Sequence, residues 1–445
     1  MTVLLPDSPI KPVLLRCIET ALEAVDPLRS IQRILQRRVS TLWVGRRKYE
    51  LSRFHRVVVV GAGKASGRMA MAVEQVLGEW VTAGHVVVKD GYGCPTRRIR
   101  LDEAGHPLPD RRGMQAARAI LKLVASLTPQ DLLLVLTSGG ASSLLPAPIS
   151  GVSLAEKRQT TEMLLRSGAT IQEINTVRKH LSLTKGGQLV RVTPARVISL
   201  IVSDVIGDDV GTIGSGPTAP DPTTFHDTRG VLQRYGLWTQ VPRAVRLALQ
   251  QGCAGKRPET PKPDDPVFSH VHNEIVGSNI QALTAVAHGV KSLGYRSLIV
   301  TSMVQGEARE VAKVLGAIAR ELCRYRHPIP RPACLVFGGE PTVTVTTKAK
   351  GGRAQELALS AAREIAGLPN LWIAAFGTDG TDGPTEVAGA VVDGGTVARA
   401  HACGLDLRQA LARHESYHVF RTLGDHIVTG PTGTNVNDLY LILAP

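Results

Sequence analysis

Arg56-Val57-Val58-Val59-Val60-Gly61-Ala62-Gly63-Lys64-Ala65-Ser66-Gly67 is the stretch whose reading decides the fold. The β-branched run reads as a strand buried on both faces, and the glycines after it as a turn into a helix. Similar apolar runs recur at 85–88, 132–136 and 197–202, separated by helical stretches at 113–126 and 153–168. Residues 10–40 also read as helical, since Leu14, Ile18, Ala21 and Leu22 recur at helical spacing. Strand and helix in alternation imply an α/β protein with a parallel sheet.

The rhythm breaks at 254–270, AGKRPETPKPDDPVFSH, where prolines and charges without periodicity read as a linker. It resumes beyond, with apolar runs at 298–301, 333–337, 371–376 and 426–429. Residues 341–347 alternate Val and Thr, as a half-exposed antiparallel strand would, so the second sheet should be mixed. Two domains follow: 1–253, then the linker 254–270, then a C-terminal α/β domain over 271–445. A chain of 445 residues is long enough for two cores. Aromatics are only 4% of it, so those cores must be built from Val, Leu, Ile and Ala.

The formal charge is +14, yet the basic residues come as short pairs such as Arg37-Arg38 and Arg111-Arg112. No long basic run with interleaved aromatics exists, which argues against nucleic acid and favours an ordinary basic surface, with anionic small molecules as the other reading. Six cysteines at irregular spacing, with no CxxC pair, read as free thiols in a reducing compartment. No apolar run is long enough for a membrane span and no leader pattern is present, so a cytoplasmic location is expected.

Candidate chemistry concentrates after the strands, where open α/β sheets bind ligands. Gly61-x-Gly63-x-x-x-Gly67 departs from the dinucleotide GxGxxG spacing, and no GxxxxGK[ST] phosphate loop occurs anywhere. Lys64 lies inside the turn, where it can meet a phosphate or carboxylate, or stand solvated at a helix start. Thr137–Ser143, with Ser138, Gly139, Gly140, Ser142 and Ser143, is a second cradle for an oxyanion, or a helix cap. Asp204, Asp208 and Asp209 form a carboxylate cluster suited to magnesium or to turn formation. Asp379 and Asp382 carry the same two readings. Arg353 opens a helix against the macrodipole, which suggests a bound anion to offset it, or an exposed helix-face arginine. His106 is a turn histidine or a ligand contact.

Ten ordered motifs carry a resemblance. They are GAGKAS (61–66), GHPLPD (105–110), LTSGGASSLLPAP (136–148), EINTVRKHLSLTKGGQL (173–189), SDVIGDD (203–209), GSGPTAPDPTTF (214–225), FGGEPTVTV (337–345), GGRAQELAL (351–359), GTDGTDGPTEVAGA (377–390) and TGPTGTNVNDL (429–439). Together they resemble the glycerate 2-kinases that bear a C-terminal MOFRL domain, here about 333–440. The resemblance implies an N-terminal Rossmann-like domain and a smaller C-terminal α/β domain with the site in the cleft between them. It implies ATP, Mg²⁺ and D-glycerate as ligands and 2-phosphoglycerate and ADP as products. It makes Lys64 and Arg353 the key catalytic positions, to be brought together by domain closure.

The remaining assignments are inferences within that frame. Gly61, Gly63, Ser66, Ser138, Gly139, Gly140, Ser142 and Ser143 would hold nucleotide phosphates. His106, Asn175, Arg178, Glu340 and Asp379 would hold glycerate, and Asp204 and Asp208 the metal. No nucleic-acid or membrane partner is expected, and a homo-oligomer stays open. Some members of the group carry the label hydroxypyruvate reductase, which makes NAD(P)H-dependent reduction the alternative activity.

Overall fold

The structure is a computed structural model that describes residues 2–347 and 349–445. In chain order its strands are β1 (Leu35–Arg38), β2 (Thr41–Val44), β3 (Arg47–Glu50), β4 (Arg56–Ala62), β5 (Val81–Lys89), β6 (Ile99–Ala104), β7 (Asp131–Thr137) and β8 (Arg196–Val202). Then come β9 (Val271–Gly277), β10 (Arg296–Val304), β11 (Ala333–Gly339), β12 (Trp372–Gly377), β13 (Gly389–Asp393), β14 (His426–Ile427) and β15 (Asp438–Ala444). Contacts divide the chain into two units. The first comprises Pro27–Ser203 and Asp208–Val276, and the second the residues up to Asp26, Asp204–Gly207 and Gly277–Pro445.

The first unit holds a six-stranded sheet in the order β6-β5-β4-β7-β8-β9. The pairs β4–β5, β5–β6, β4–β7 and β7–β8 all run parallel. The chain therefore starts at the centre with β4, walks outward to β6, and returns to β7 to fill the other half. That reversal between β4 and β7 is the switch point of a Rossmann-like sheet, and ligands bind there beyond the carboxyl ends. Val57 to Val60 are at most 1% exposed, as a strand covered on both faces requires. Helix Arg111–Ala125 covers the sheet with Ala116, Ala117, Ile120 and Val124, a stripe at helical spacing.

A separate helical core lies in the same unit. Helices Leu154–Arg166, Ile171–His180, Phe225–Arg234 and Arg243–Cys253 bury Leu164, Ile174, Val177, Phe225, Leu232 and Leu249 together. Capping boxes at Ser153, Thr170 and Thr224 start the first three, so their N-termini are fixed by local sequence.

The second unit holds a mixed sheet in the order β10-β11-β15-β12-β13-β14. Only β10–β11 is parallel; β11–β15, β15–β12, β12–β13 and β13–β14 are antiparallel. Helix Arg353–Glu364 buries Leu357, Ala358, Ala361 and Ala362 in its core with Ile373, Tyr440 and Ile442.

Three readings of the sequence need revision. Residues 254–270 are packed on the first unit: Glu259 accepts from the Phe225 N–H at 2.9 Å, and Thr260 donates to Asp221 at 3.0 Å. They lead into β9, at the edge of the same sheet, so the units divide after Val276 and not at 253–270. Their charges had fixed partners that composition cannot show. Residues 10–40 are helical only to Ile34, because β1 to β3 form a small antiparallel sheet. Pro341–Thr347 is not a strand; only Thr342 makes a bridge, parallel, to Glu307. No helix among the described residues is long and apolar enough to cross a membrane.

Candidate active site

In the first unit, the loops after β4 and β7 touch across the switch point. A side chain at Gly61 would put its Cβ 2.1 Å from the Leu136 carbonyl oxygen. One at Gly63, with φ +143°, would lie 2.0 Å from Ser138 Oγ. Only glycine permits that approach. The Lys64 N–H donates to the Gly139 carbonyl at 2.9 Å, and the Ala65 N–H to Ser138 Oγ at 3.1 Å. Ser66 and Ser138 share a hydrogen bond at 3.0 Å and are buried. Those two hydroxyls tie the loops together from beneath, and Ser143 donates to the Gly140 carbonyl at 3.0 Å.

Gly140 has φ +88°, and a Cβ there would meet His106 Cδ2 at 2.9 Å and Lys64 Cγ at 3.5 Å. His106, Lys64 and Gly140 are thus neighbours, brought from the ends of three strands. Burial, then Lys64 and Lys89, push the His106 imidazole down to about 4, so it is neutral near pH 7. The Lys64 ammonium makes no hydrogen bond or ion pair among the described residues, although it is half-buried.

Next along the loop, Ser142 joins a polar chain. Its Oγ accepts from Arg178 and, at 2.8 Å, from Lys185, which also donates to the Ser142 carbonyl at 2.7 Å. Two donors fill the two lone pairs of the hydroxyl, so Ser142 must donate its own proton to Ser215 Oγ, 2.9 Å away. Ser215 in turn donates to Asn175 Oδ1 at 3.1 Å. Asn175 and Arg178 lie on helix Ile171–His180, whose capping box therefore positions both.

In the second unit, Arg353 opens helix Arg353–Glu364. Its Nε and Nη2 clasp both oxygens of Asp438 at 2.7 and 3.0 Å, and Nη1 reaches Glu340 at 2.6 Å. Asp438 begins β15, paired with Gly339 and Gly377 at the carboxyl ends of β11 and β12. Burial pushes the Asp438 carboxyl up to about 7, with Arg353 pulling the other way. Asp382 accepts from the Ala354 and Gln355 N–H groups at 3.0 and 2.8 Å, capping the helix from another loop. The macrodipole at Arg353 is thus offset by the protein's own carboxylates, where the sequence suggested a bound anion. A guanidinium has five N–H donors, so two remain for a ligand, and the side chain keeps 29% exposure. Asp379 spends one carboxylate oxygen on the Thr381 N–H and hydroxyl, both at 3.1 Å.

Asp204 falls in the second unit and Asp208 in the first. The Asp208 carboxylate, on a residue with φ +57°, takes no hydrogen bond or ion pair among the described residues. No group of three or more His, Cys, Asp or Glu among those residues could hold a metal ion. Magnesium asks for less, one or two carboxylates beside phosphate and water, and a free aspartate fits that need. Asp438 and Lys185 escaped the sequence reading, although both lie inside quoted motifs. Asp438 directly precedes the apolar run of β15, a strand-end carboxylate of the kind noted elsewhere.

Residues 13–250 match the model of a domain of unknown function, DUF4147, and residues 333–438 match the MOFRL family. The chain is 41% identical over 439 residues to a D-glycerate 2-kinase of Thermotoga maritima, covering 98% of each. It is 43% identical over 391 residues to an Agrobacterium vitis protein with a provisional hydroxypyruvate reductase name, covering 87% of each. The crystal structure of a glycerate kinase from Thermotoga maritima superposes with a TM-score of 0.88 at 39% identity, over 98% of this chain and 99% of that one.

Proposed function

We infer the activity from the family, for this chain belongs to the glycerate 2-kinases. It transfers the γ-phosphoryl group of ATP to the 2-hydroxyl of D-glycerate, giving 2-phosphoglycerate and ADP. The observation that carries this reading is the 41% identity to a D-glycerate 2-kinase over nearly the whole of both chains. In the reaction the 2-hydroxyl oxygen bonds to the γ-phosphorus, the bond to the bridging oxygen of ADP breaks, and the hydroxyl proton leaves.

Phosphoryl transfer rests on positioning and on neutralising charge. Gly63 lets the two switch-point loops close on each other, and Gly140 leaves room for His106 beside Lys64. Lys64, an unpaired cation at that point, supplies charge to the transferred group. His106 stays neutral beside it and can accept or donate a hydrogen bond without adding charge. Ser66 and Ser138 act beneath the loops by holding their shape. Arg353 offers its two remaining N–H groups to an oxyanion, while Asp438 and Glu340 fix its plane. Magnesium, when bound, would neutralise phosphate charge, and Asp208 is a carboxylate proposed to hold it.

The reductase name of the Agrobacterium vitis relative supports a second reading. Purified protein given D-glycerate, ATP and Mg²⁺ should release ADP, and should leave NAD(P)H untouched when given hydroxypyruvate. Consumption of NAD(P)H with no ADP formed would reverse the assignment.

A further inference from the structure

Two buried lysines and a partly exposed arginine stand together in the first unit without an acid among the described residues. Lys157 is 6% exposed, and its ammonium has no hydrogen-bond partner at all. Lys185 is 2% exposed and donates only to Ser142, and Arg178 also donates to Ser142. None of the three makes an ion pair among the described residues. The next two residues after Arg178 on its helix do: Lys179 reaches Asp221 at 3.4 Å, and His180 reaches Glu259 at 3.1 Å. Acids were therefore available to this helix, on its other side.

A buried charge without a partner is expensive, and two more cations beside it raise the cost. Burial and Arg178 together push Lys157 down to about 7. Burial first, then Arg178 and Lys157, lowers Lys185 as well. Ser142 offers the cluster no further acceptor, since it has both lone pairs taken and passes its own proton on to Ser215. Ser142 and Arg178 remain partly exposed, so the cluster is open to solvent through them.

We propose that Lys157, Arg178 and Lys185 form the binding site for a compact oxyanion carried by a substrate, either a carboxylate or a phosphoryl group. The proposal rests on the kinase reading for the source of that oxyanion: the carboxylate of glycerate or a phosphate of the nucleotide. Ser142 stands at its mouth, two residues from Gly140 and so beside the Lys64 loop. The bound oxyanion supplies the counter-charge the fold withholds; without it, burial favours the neutral form of both lysines.

Lys157→Met tests this, because it keeps the stem and removes the charge. Thermal melting of wild type and variant is followed alone, with D-glycerate, and with ADP, beside KM for each substrate. The unliganded variant should melt at or above the wild-type temperature, since an unpaired buried charge is gone. For one substrate KM should rise at least about tenfold, the worth of a charged hydrogen bond, and its thermal shift should shrink. Loss of the glycerate shift identifies a carboxylate as occupant, and loss of the ADP shift a phosphoryl group. Unchanged KM values and unchanged shifts for both ligands would overturn the proposal. So would a lowered melting point with both shifts intact, which marks a merely structural lysine. If Lys157→Met does not fold, Lys185→Met is read by the same KM values and ligand shifts. ADP formation by the wild type is measured alongside. Its absence would sink the kinase reading, and the ligand shifts would still judge the site.

Discussion

Lys64 owes its role to the residues around it more than to its own charge. Gly63 lets its loop close on Ser138, which ties it to the loop after β7, and Gly140 leaves room for His106 beside it. No carboxylate among the described residues pairs with the lysine, so its charge is available to the proposed phosphoryl group. Lys64→Ala should lower kcat by about 10²–10³, the usual loss for a preorganised electrostatic donor. Thermal stability should hardly move, because the ammonium contributes nothing to the core. A kcat within about threefold of wild type, far short of that loss, with unchanged melting would remove Lys64 from the mechanism. The position of Lys64 was legible in the sequence, as a lysine in a glycine-rich turn after a buried strand, but whether it meets a ligand or only solvent was not. The direction of the serine hydroxyls was not legible. Ser66 and Ser138 look like phosphate donors until the two loops are seen to close on each other across 72 positions of sequence. Arg353 is similar, since its principal partner Asp438 is 85 positions away.

At the level of elements, helix Arg353–Glu364 begins without a cap of its own, because Gly352 has no side chain to offer. Asp382 does that work from the loop after β12, and the fit is close: a Cβ at Gly352 would lie 2.2 Å from Asp382 Cγ. Asp382→Ala should therefore cost about 1–2 kcal/mol, as loss of an N-cap does, and reduce activity by loosening the first turn that carries Arg353. Urea unfolding beside kcat checks this; unchanged stability would mean that water replaces the carboxylate at no cost. The sequence could supply the core strands β4, β5, β7, β8, β11 and β12 because their apolar runs are continuous. It could not supply β1 to β3, which are four residues each, with β1 and β3 rich in charge and β2 too short to show a period. β9 was hidden for a related reason: His272, Asn273 and Glu274 break its apolar pattern. Those polar groups are matched in space, with His272 bonded to Tyr49 at 2.9 Å and Asn273 accepting from Thr218 at 2.6 Å.

The whole molecule carries a formal charge of +14, and its proposed substrates, ATP and glycerate, are anions. A basic balance raises the local concentration of such ligands. Its sharper expression is local, in Lys64 and in the cluster of Lys157, Arg178 and Lys185, where cations stand without acids. Chain order does not follow the two units, since the residues up to Asp26 and Asp204–Gly207 belong with the C-terminal half. Composition and periodicity locate elements well but assign them to units poorly, because burial against a distant partner leaves no local mark. The central claim is a transfer to one particular oxygen, so the position of the new phosphoester tests it most directly. Phosphorus NMR of the product from D-glycerate and ATP should show 2-phosphoglycerate, which enolase then consumes. Accumulation of 3-phosphoglycerate as the main product, with no material that enolase accepts, would contradict the account.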